Sequence, residues 1–192
     1  MQTLTDHWDE IKTLKAVPTV KVDGASTTLS MDERGQVHVY SRNWELDSMS
    51  SNMQLAKRFQ LDKMLWPGMA VQFELCGPGI QSNRLKLPAQ RPFVFAVWKD
   101  HHKIDRDQWP TGMPNLAVPE LDENEWALTG SVDDMIAKVD GLRGNVTKDR
   151  LDEGIVWHLR EDQQLSEGLA NELGANRCFK IINNKYLTKN GL

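Results

Sequence analysis

A lysine near the start of the chain stands in the sequence Lys21-Val22-Asp23-Gly24. Its apolar neighbours predict a strand in which the lysine side chain points to the face opposite Val20 and Val22. If that face lines a cleft, the partly desolvated amine can act as a nucleophile. Gly24 allows the backbone to turn sharply or to come close to a ligand. The alternative for the same four residues is a surface lysine in a hairpin.

Further charged residues stand at the ends of predicted strands or inside them. Arg42 ends one strand, and its fork of N–H donors suits phosphate or ribose. Glu74 ends another strand before a glycine-proline loop, where a carboxylate can accept from sugar hydroxyls or hold a metal ion. Glu153 precedes a glycine and an apolar strand. Lys180 lies inside an apolar strand, where an ammonium is costly unless a counter-charge such as phosphate is near. For each residue alone, a solvated charge or an ordinary turn is the alternative.

The elements that must position these residues form a mixed, strand-rich pattern. Helices are expected over residues 5–16, 51–64 and 131–139, and Ser131 begins a sequence that resembles a capping box. Strands are expected over residues 19–22, 27–31, 37–41, 71–75, 93–98, 154–159 and 178–182. A tight turn is expected at Asp23-Gly24, a hairpin turn at residues 33–35, and irregular structure over residues 101–130. Because no repeat or linker interrupts this pattern, it indicates one α+β domain over residues 1–192.

Composition limits the partners that this domain can have. With a net charge of -4, the chain is not expected to have a broad basic face for nucleic acid, so any polynucleotide contact must depend on local clusters. The two cysteines form no CxxC spacing, which argues against a structural zinc site. The chain has neither a signal peptide pattern nor an apolar run long enough for a membrane helix. We therefore expect a cytoplasmic protein without a membrane partner.

The order of these features resembles the covalent nucleotidyltransferases, which comprise ATP-dependent DNA and RNA ligases and mRNA capping enzymes. Within them, the chain is most similar to RNA ligases of the Deinococcus type. The similar stretches are VYSRNWEL, ELCGPGIQSNRL, EGIV and FKIINNKYLTK. These stretches are far more specific than the lysine motif alone, and the resemblance extends from about Val17 to Lys189. It implies a nucleotidyltransferase domain with two antiparallel sheets and flanking helices around an ATP cleft. Deinococcus-type ligases carry an additional oligonucleotide-binding domain before this one, but only 20 residues precede Lys21 here, so no separate oligonucleotide-binding domain is expected.

The resemblance also implies roles for individual residues. Lys21 would attack the α-phosphorus of ATP and hold AMP as a phosphoramidate. Glu153 would serve a Mg or Mn ion, and Lys180 would contact the AMP phosphate. The remaining residues of the implied ATP site are Asp23, Gly24, Arg42 for the ribose or a phosphate, Glu74 for the ribose hydroxyls, and Phe95 for the adenine. Two lysines, an arginine, two glutamates and a divalent ion suit phosphoryl transfer, which depends mainly on positioning and charge neutralisation.

The implied activity is an ATP-dependent RNA ligase, a monomer that joins 5′-phosphate and 3′-hydroxyl ends, at RNA nicks in an RNA or RNA/DNA duplex. Arg84 and Lys86, in the loop after Glu74, are candidates for contact with the polynucleotide backbone. Two alternatives stay open. One is a DNA ligase or capping-type enzyme of the same chemistry. The other is a non-catalytic module that binds a nucleotide or an RNA end, because Ala96 and Ile182 stand where many relatives have aspartate and lysine.

Overall fold

The computed structural model describes residues 5–192, and the strands and helices given below lie within that range. The strands are β1 Ala16–Lys21, β2 Ala25–Met31, β3 Val37–Tyr40, β4 Glu45–Leu46, β5 Met69–Cys76, β6 Arg91–Lys99, β7 His102–Ile104, β8 Gly154–Leu159 and β9 Cys178–Ile182. The helices are α1 Trp8–Ile11, α2 Ser51–Arg58, α3 Val132–Val139, α4 Glu167–Leu173 and α5 Asn184–Asn190. Short 3-10 turns span Leu61–Met64, Arg106–Gln108, Met113–Leu116 and Gly174–Asn176.

The chain divides into two compact units, and each has one antiparallel sheet. The first unit comprises Met1–Lys21 and Pro119–Leu192, and the second comprises Val22–Val118. In the first unit the strand order is β1-β8-β9, and in the second it is β4-β3-β2-β5-β6-β7. The expected α+β class with two antiparallel sheets is therefore confirmed. None of the helices within residues 5–192 is long and apolar enough to cross a membrane.

The small sheet of the first unit is apolar on one face. Val20 of β1 lies opposite Ile155 of β8, which in turn lies opposite Ile181 of β9, and all three are buried. On the same face, the rings of Trp157 and Phe179 stack with centroids 5.6 Å apart. Because side chains alternate between the two faces of a sheet, this apolar layer leaves Lys21 on the opposite face.

The larger sheet has its own core, which is separate from that of the first unit. Leu29 of β2, Val71 and Phe73 of β5, and Val94 and Val97 of β6 are fully buried in one cluster. The alternation along β5 places Gln72 and Glu74 on the other face of the sheet, with only partial burial. The second unit therefore also presents one polar sheet face.

Several predicted elements agree with the structure closely. The bounds of β8 and β9 are those expected, and α3 begins with the expected capping box. In that box, the side chain of Ser131 accepts from the backbone of Asp134, whose carboxylate accepts from the backbone of Ser131. These elements depend on local sequence signals, and local signals were sufficient to find them.

Other predicted elements are wrong in part. The expected helix over residues 5–16 ends at Ile11, and Pro18 lies inside β1, where an edge strand tolerates its missing N–H. The expected helix over residues 51–64 ends at Arg58, because Gln60 takes a left-handed backbone conformation with φ +56°. Within the expected irregular residues 101–130, β7 and two 3-10 turns are present.

The segment Asp23-Gly24, where a tight turn was expected, does not close a hairpin between its flanking strands. It joins β1 and β2, which belong to different sheets. Gly24 is needed there for another reason, since a Cβ atom at this position would lie 2.1 Å from the carbonyl oxygen of Leu75. The glycine therefore allows the chain to pack directly against the backbone of β5.

Candidate active site

Lys21 and Glu153 form an ion pair at the ends of two neighbouring strands. The Nζ atom of Lys21, the last residue of β1, donates to Oε2 of Glu153 at 2.6 Å. The side chains of Lys21 and Glu153 are 22% and 15% exposed, so solvent screens the pair only partly. This contact brings the predicted nucleophile and the predicted metal ligand together, although 132 positions separate them in sequence.

The pairing of β1 with β8 explains why the two side chains meet. Lys21 lies directly opposite Gly154, so the residue before Gly154 is placed beside the end of β1. Gly154 has a φ of +156°, and a Cβ atom there would lie 2.2 Å from the carbonyl oxygen of Ile181. Only glycine therefore fits between β8 and β9 at this point, and the start of β8 fixes the backbone of Glu153.

Lys180 lies on the same sheet face as Lys21. It is opposite Val156 of β8, and Val156 is opposite Thr19 of β1. Because Thr19 and Lys21 are two residues apart in one strand, all of these side chains project from one face. Lys180 is exposed and β9 is an edge strand, which agrees with the alternative reading for this residue. The structure nevertheless places two lysines and one carboxylate on a single face of the first unit.

A buried carboxylate precedes Glu153 in the chain, and the sequence patterns did not single it out. Asp152 is fully buried, and its Oδ2 atom accepts from the backbone and side-chain nitrogens of Asn145 at 3.1 and 2.9 Å. Its other oxygen, Oδ1, has no well-formed hydrogen bond within the described residues. Burial raises the pKa of Asp152 above its ordinary value, and the hydrogen bonds from Asn145 oppose this rise only in part.

The remaining candidate residues lie in the second unit. Asp23 accepts from Arg84, with 2.7 Å between Oδ2 and the guanidinium nitrogen. The neighbouring carbonyl of Gly24 accepts from the side-chain amide of Gln81. These two contacts tie the loop after β5 to the segment after Lys21. Arg84, which the sequence indicated as a polynucleotide contact, therefore already neutralises Asp23 in this structure.

Glu74 lies in the central part of the larger sheet. It is opposite Ser26 of β2 on one side and Phe93 of β6 on the other. The register of β5 and β6 shifts between Val94 and Ala96, so these two residues have partners in β5 and Phe95 has none. Phe95 therefore occupies a β-bulge in the strand that borders Glu74.

Arg42 and Lys86 are exposed residues of loops. Arg42 lies in the turn between β3 and β4, which is closed by a backbone hydrogen bond from Ser41 to Trp44. Lys86 has a left-handed φ of +53° in the loop between β5 and β6. Within residues 5–192, neither side chain makes an ion pair or a hydrogen bond. Both are therefore available to a ligand with negative charge.

The candidate site offers a divalent ion few protein ligands. Within the described residues, no three side chains of histidine, cysteine, aspartate or glutamate are grouped so as to hold a metal. Mg²⁺ typically takes one or two protein carboxylates and completes its shell with water and substrate phosphates. The partly exposed carboxylate of Glu153 fits this mode of binding, in which the phosphates of a nucleotide supply the other oxygens.

Residues 15–182 match the family described as RNA ligase. Because this match includes most of the chain, the protein belongs to the RNA ligase family. The resemblance that the four sequence stretches indicated is thereby confirmed. No curated protein sequence compared with the chain matches it.

The fold is similar to that of an RNA ligase from Naegleria gruberi. The structure of that ligase with PPi has a TM-score of 0.76 at 25% identity, and the match covers 98% of this chain and 55% of that chain. A mutant with ATP and Mn gives 0.76 at 25% identity over 98% and 54% of the two chains. A mutant with AMP and Mn gives 0.74 at 25% identity over 98% and 55%. The present chain thus spans about 55% of the length of this relative.

Proposed function

We propose that the chain is an ATP-dependent RNA ligase that forms a covalent lysyl-AMP on Lys21. The observation that supports this most directly is the contact of 2.6 Å between Lys21 Nζ and Glu153 Oε2 in a chain of the RNA ligase family. The ligase from Naegleria gruberi was solved with ATP, with AMP and with PPi, which are the substrate and the two parts into which adenylation divides it.

In the proposed first step, the neutral amine of Lys21 attacks the α-phosphorus of ATP. A nitrogen–phosphorus bond forms, the bond to the pyrophosphate oxygen breaks, and the nitrogen releases one proton to solvent and keeps the other. Glu153 orients the amine before the attack, because its carboxylate accepts from Nζ. Correct orientation of the reacting groups is worth several orders of magnitude in rate.

Other residues would bind the nucleotide. Lys180 would contact the AMP phosphate, since it lies on the sheet face of Lys21 and has the opposite charge to a phosphate. In the second unit, Glu74 would accept from the ribose hydroxyls, Phe95 would stack on the adenine, and Arg42 would bind the ribose or a phosphate. Asp23 and Gly24 would complete this set, the first held by Arg84 and the second packed on β5.

A divalent ion would be held by Glu153 together with the phosphates of ATP. When bound, Mg or Mn would neutralise charge on the phosphates during pyrophosphate release. The Naegleria gruberi mutants with ATP and AMP were solved with Mn, which is consistent with this assignment.

The proposed reaction continues with transfer of AMP to a 5′-phosphate end. A 3′-hydroxyl then attacks that phosphate and AMP leaves, so that a phosphodiester bond forms. We propose that the substrate is a nick in a duplex with RNA at its 3′-hydroxyl side. Lys86 is an exposed cation suited to the polynucleotide backbone, and Arg84 would contribute only if its pair with Asp23 opens.

We further propose that residues 1–192 act as one nucleotidyltransferase domain and that the protein is a monomer in the cytoplasm. The family match extends through both units, which supports a single functional domain. Cys76 and Cys178 form no disulfide bond, as is usual in a reducing compartment.

Incubation with labelled ATP and Mg or Mn, followed by a denaturing gel, tests the proposed first step. Label should stay on the protein, and peptide mapping should place it on Lys21. Lys21→Ala should abolish the label, whereas Lys63→Ala, at an exposed lysine of a 3-10 turn, should leave it unchanged. Label that persists in Lys21→Ala would exclude Lys21 as the nucleophile. Labelling by GTP instead of ATP would favour a capping-type enzyme, and no labelling would favour the non-catalytic module.

Sealing of nicked duplexes tests the later steps. Substrates with RNA or DNA at the 3′-hydroxyl side separate RNA ligation from DNA ligation. If Lys86 contacts a phosphate, Lys86→Ala should reduce the slope of log affinity against log salt by roughly 0.9. An unchanged slope in that variant would place the polynucleotide contacts elsewhere.

A further inference from the structure

Asn183 is a fully buried polar residue at the junction between β9 and α5. Its Nδ2 atom donates to the carbonyl oxygens of Leu142 and Asp152, both at 3.0 Å. Its Oδ1 atom accepts from the backbone nitrogens of Gly141 at 2.9 Å and Tyr186 at 3.3 Å. One side chain thus satisfies four backbone groups from three segments of the first unit.

The backbone of Asn183 holds the next residue of the site as well. Its N–H donates to the carbonyl oxygen of Glu153 at 2.9 Å, while its side chain holds the carbonyl of Asp152. Asn183 therefore bonds to the peptide groups on both sides of the Glu153 Cα atom, from which the side chain projects. That side chain in turn accepts from Lys21.

The segment from Leu142 to Asn145 also bonds to Asp152 and so supports the backbone before Glu153. The N–H of Asp152 donates to the carbonyl of Leu142 at 3.0 Å, and the carboxylate of Asp152 accepts twice from Asn145. The carbonyls of Leu142 and Asp152 are both held by Nδ2 of Asn183. Removing that donor leaves the carbonyl of Leu142 with the N–H of Asp152 and takes the Asn183 donor away from the carbonyl of Asp152, so the segment before Glu153 is held less firmly.

We propose that Asn183 is a positioning residue that sets the place of the Glu153 carboxylate against Lys21 and thereby the rate of lysyl-AMP formation. This inference rests on the proposed function. Asn183 is fully buried, and all its polar groups bond to backbone, so it acts on the reaction through Glu153. Because a shift of about 1 Å in a reacting group can cost 100-fold in rate, loss of this support should be visible in catalysis.

Asn183→Asp is the informative variant. It keeps an oxygen that accepts from Gly141 and Tyr186, and aspartate is as good an N-cap for α5 as asparagine. It replaces the donor that faces the carbonyls of Leu142 and Asp152 by a second oxygen. We expect lysyl-AMP formation to slow by about 10- to 100-fold, as for other residues that orient a ligating side chain. The KM for ATP should stay unchanged.

Asn190→Ala serves as the matched control. The Nδ2 atom of Asn190 donates to the carbonyl of Tyr186 in α5 at 2.9 Å, so this variant also removes an amide donor from a backbone carbonyl. Within residues 5–192 its side chain has no hydrogen bond to the segment of Glu153, so the variant should adenylate at the wild-type rate. Asn183→Ser is measured beside Asn183→Asp, because serine also caps a helix but lacks the second donor. Thermal unfolding of each variant shows which of them is folded.

A double-mutant cycle with Glu153→Gln distinguishes positioning from general stabilisation. If Asn183 acts through Glu153, adding Asn183→Asp to Glu153→Gln should slow adenylation little further. Additive losses would show that Asn183 acts independently of Glu153 and would overturn the inference.

A second readout does not depend on ATP. Modification of Lys21 by an amine-reactive ester is followed by peptide mass spectrometry in each variant. Glu153→Gln should speed the modification because Nζ loses its partner, and Asn183→Asp should do the same. If Glu153→Gln alone changes it, Asn183 does not position Glu153. If the wild type forms no lysyl-AMP, the proposed function fails, and this measurement still decides whether Asn183 positions Glu153.

Discussion

Substitution of Gly154 by alanine should damage both the stability of the first unit and its chemistry. The added Cβ would lie 2.2 Å from the carbonyl oxygen of Ile181 and 3.0 Å from the Cα of Ile182, whereas real Cβ atoms essentially never come within 3.0 Å of a heavy atom outside their own and the adjacent residues. Both neighbours are backbone atoms of β9, so no side chain can rotate away. The strands β8 and β9 must therefore separate by close to 1 Å at this point.

The expected cost has two parts. A non-glycine residue at the φ of Gly154, +156°, is strained by about 1–3 kcal/mol. Separating the strands weakens one or two backbone hydrogen bonds at about 1 kcal/mol each. We therefore expect Gly154→Ala to lower the free energy of unfolding by roughly 2–5 kcal/mol. Gly144→Ala is the matched control, since Gly144 has a φ of +83° but no atom within 4 Å of the added Cβ. It should cost only about 1–2 kcal/mol.

Urea unfolding of the wild type and both variants measures this difference directly. The folded fraction of Gly154→Ala should also form lysyl-AMP more slowly than Gly144→Ala, because Glu153 immediately precedes the displaced residue. Equal losses of stability in the two variants would refute the reasoning, since the contact with Ile181 would then contribute nothing. Normal adenylation by folded Gly154→Ala would show that the start of β8 does not place Glu153.

Three further outcomes follow from the structure. Burial raises the pKa of Asp152, so the folded state loses stability as pH rises from the ordinary aspartate value through the raised one. The melting temperature of Asp152→Asn relative to the wild type should therefore increase between about pH 4 and about pH 7. The hydrogen bond to Glu45, at 2.8 Å, is the main cause that raises the pKa of His38. The hydrogen bond of the charged imidazole therefore stabilises the folded state fully below the ordinary histidine pKa, and this stabilisation is lost as pH rises through the raised pKa. The melting temperature of the wild type should exceed that of His38→Gln at about pH 6 and not at about pH 9. In ATP titrations, Phe95→Ala should weaken binding more than Phe93→Ala, and the reverse order would exclude Phe95 as the residue that stacks on adenine.

Secondary-structure elements that depend on local sequence could be predicted from the sequence. The strands Gly154–Leu159 and Cys178–Ile182 have the bounds that their apolar runs predicted, and the capping box at Ser131 begins a helix as expected. These features depend on residues within a few positions of one another. Where long-range packing competes with local preference, the prediction was wrong. Residues 5–16 were expected to be helical, but the helix ends at Ile11, and Ala16 already belongs to β1, which pairs with β8.

The candidate residues of the active site could also be predicted from the sequence, but the contacts between them could not. The types of Lys21, Glu153 and Lys180 and their resemblance to a family were visible in the sequence alone. That Lys21 meets Glu153, that Lys180 shares its sheet face, and that Arg84 is paired with Asp23 depend on how distant strands and loops pack. No spacing rule predicts such pairs.

Asn183 shows the same limit most clearly. From its position before α5, the sequence predicts only that Asn183 caps this helix, which is a local role. Its bonds to Leu142 and Asp152 exist because β8 and β9 are neighbours and bring segments 41 and 31 positions away against one buried amide. The sequence by itself determined which chemical groups this protein has and which local elements they occupy. The tertiary structure alone decided their partners, because pairing of distant strands is driven by burial of a shared core and not by the residues next to each group.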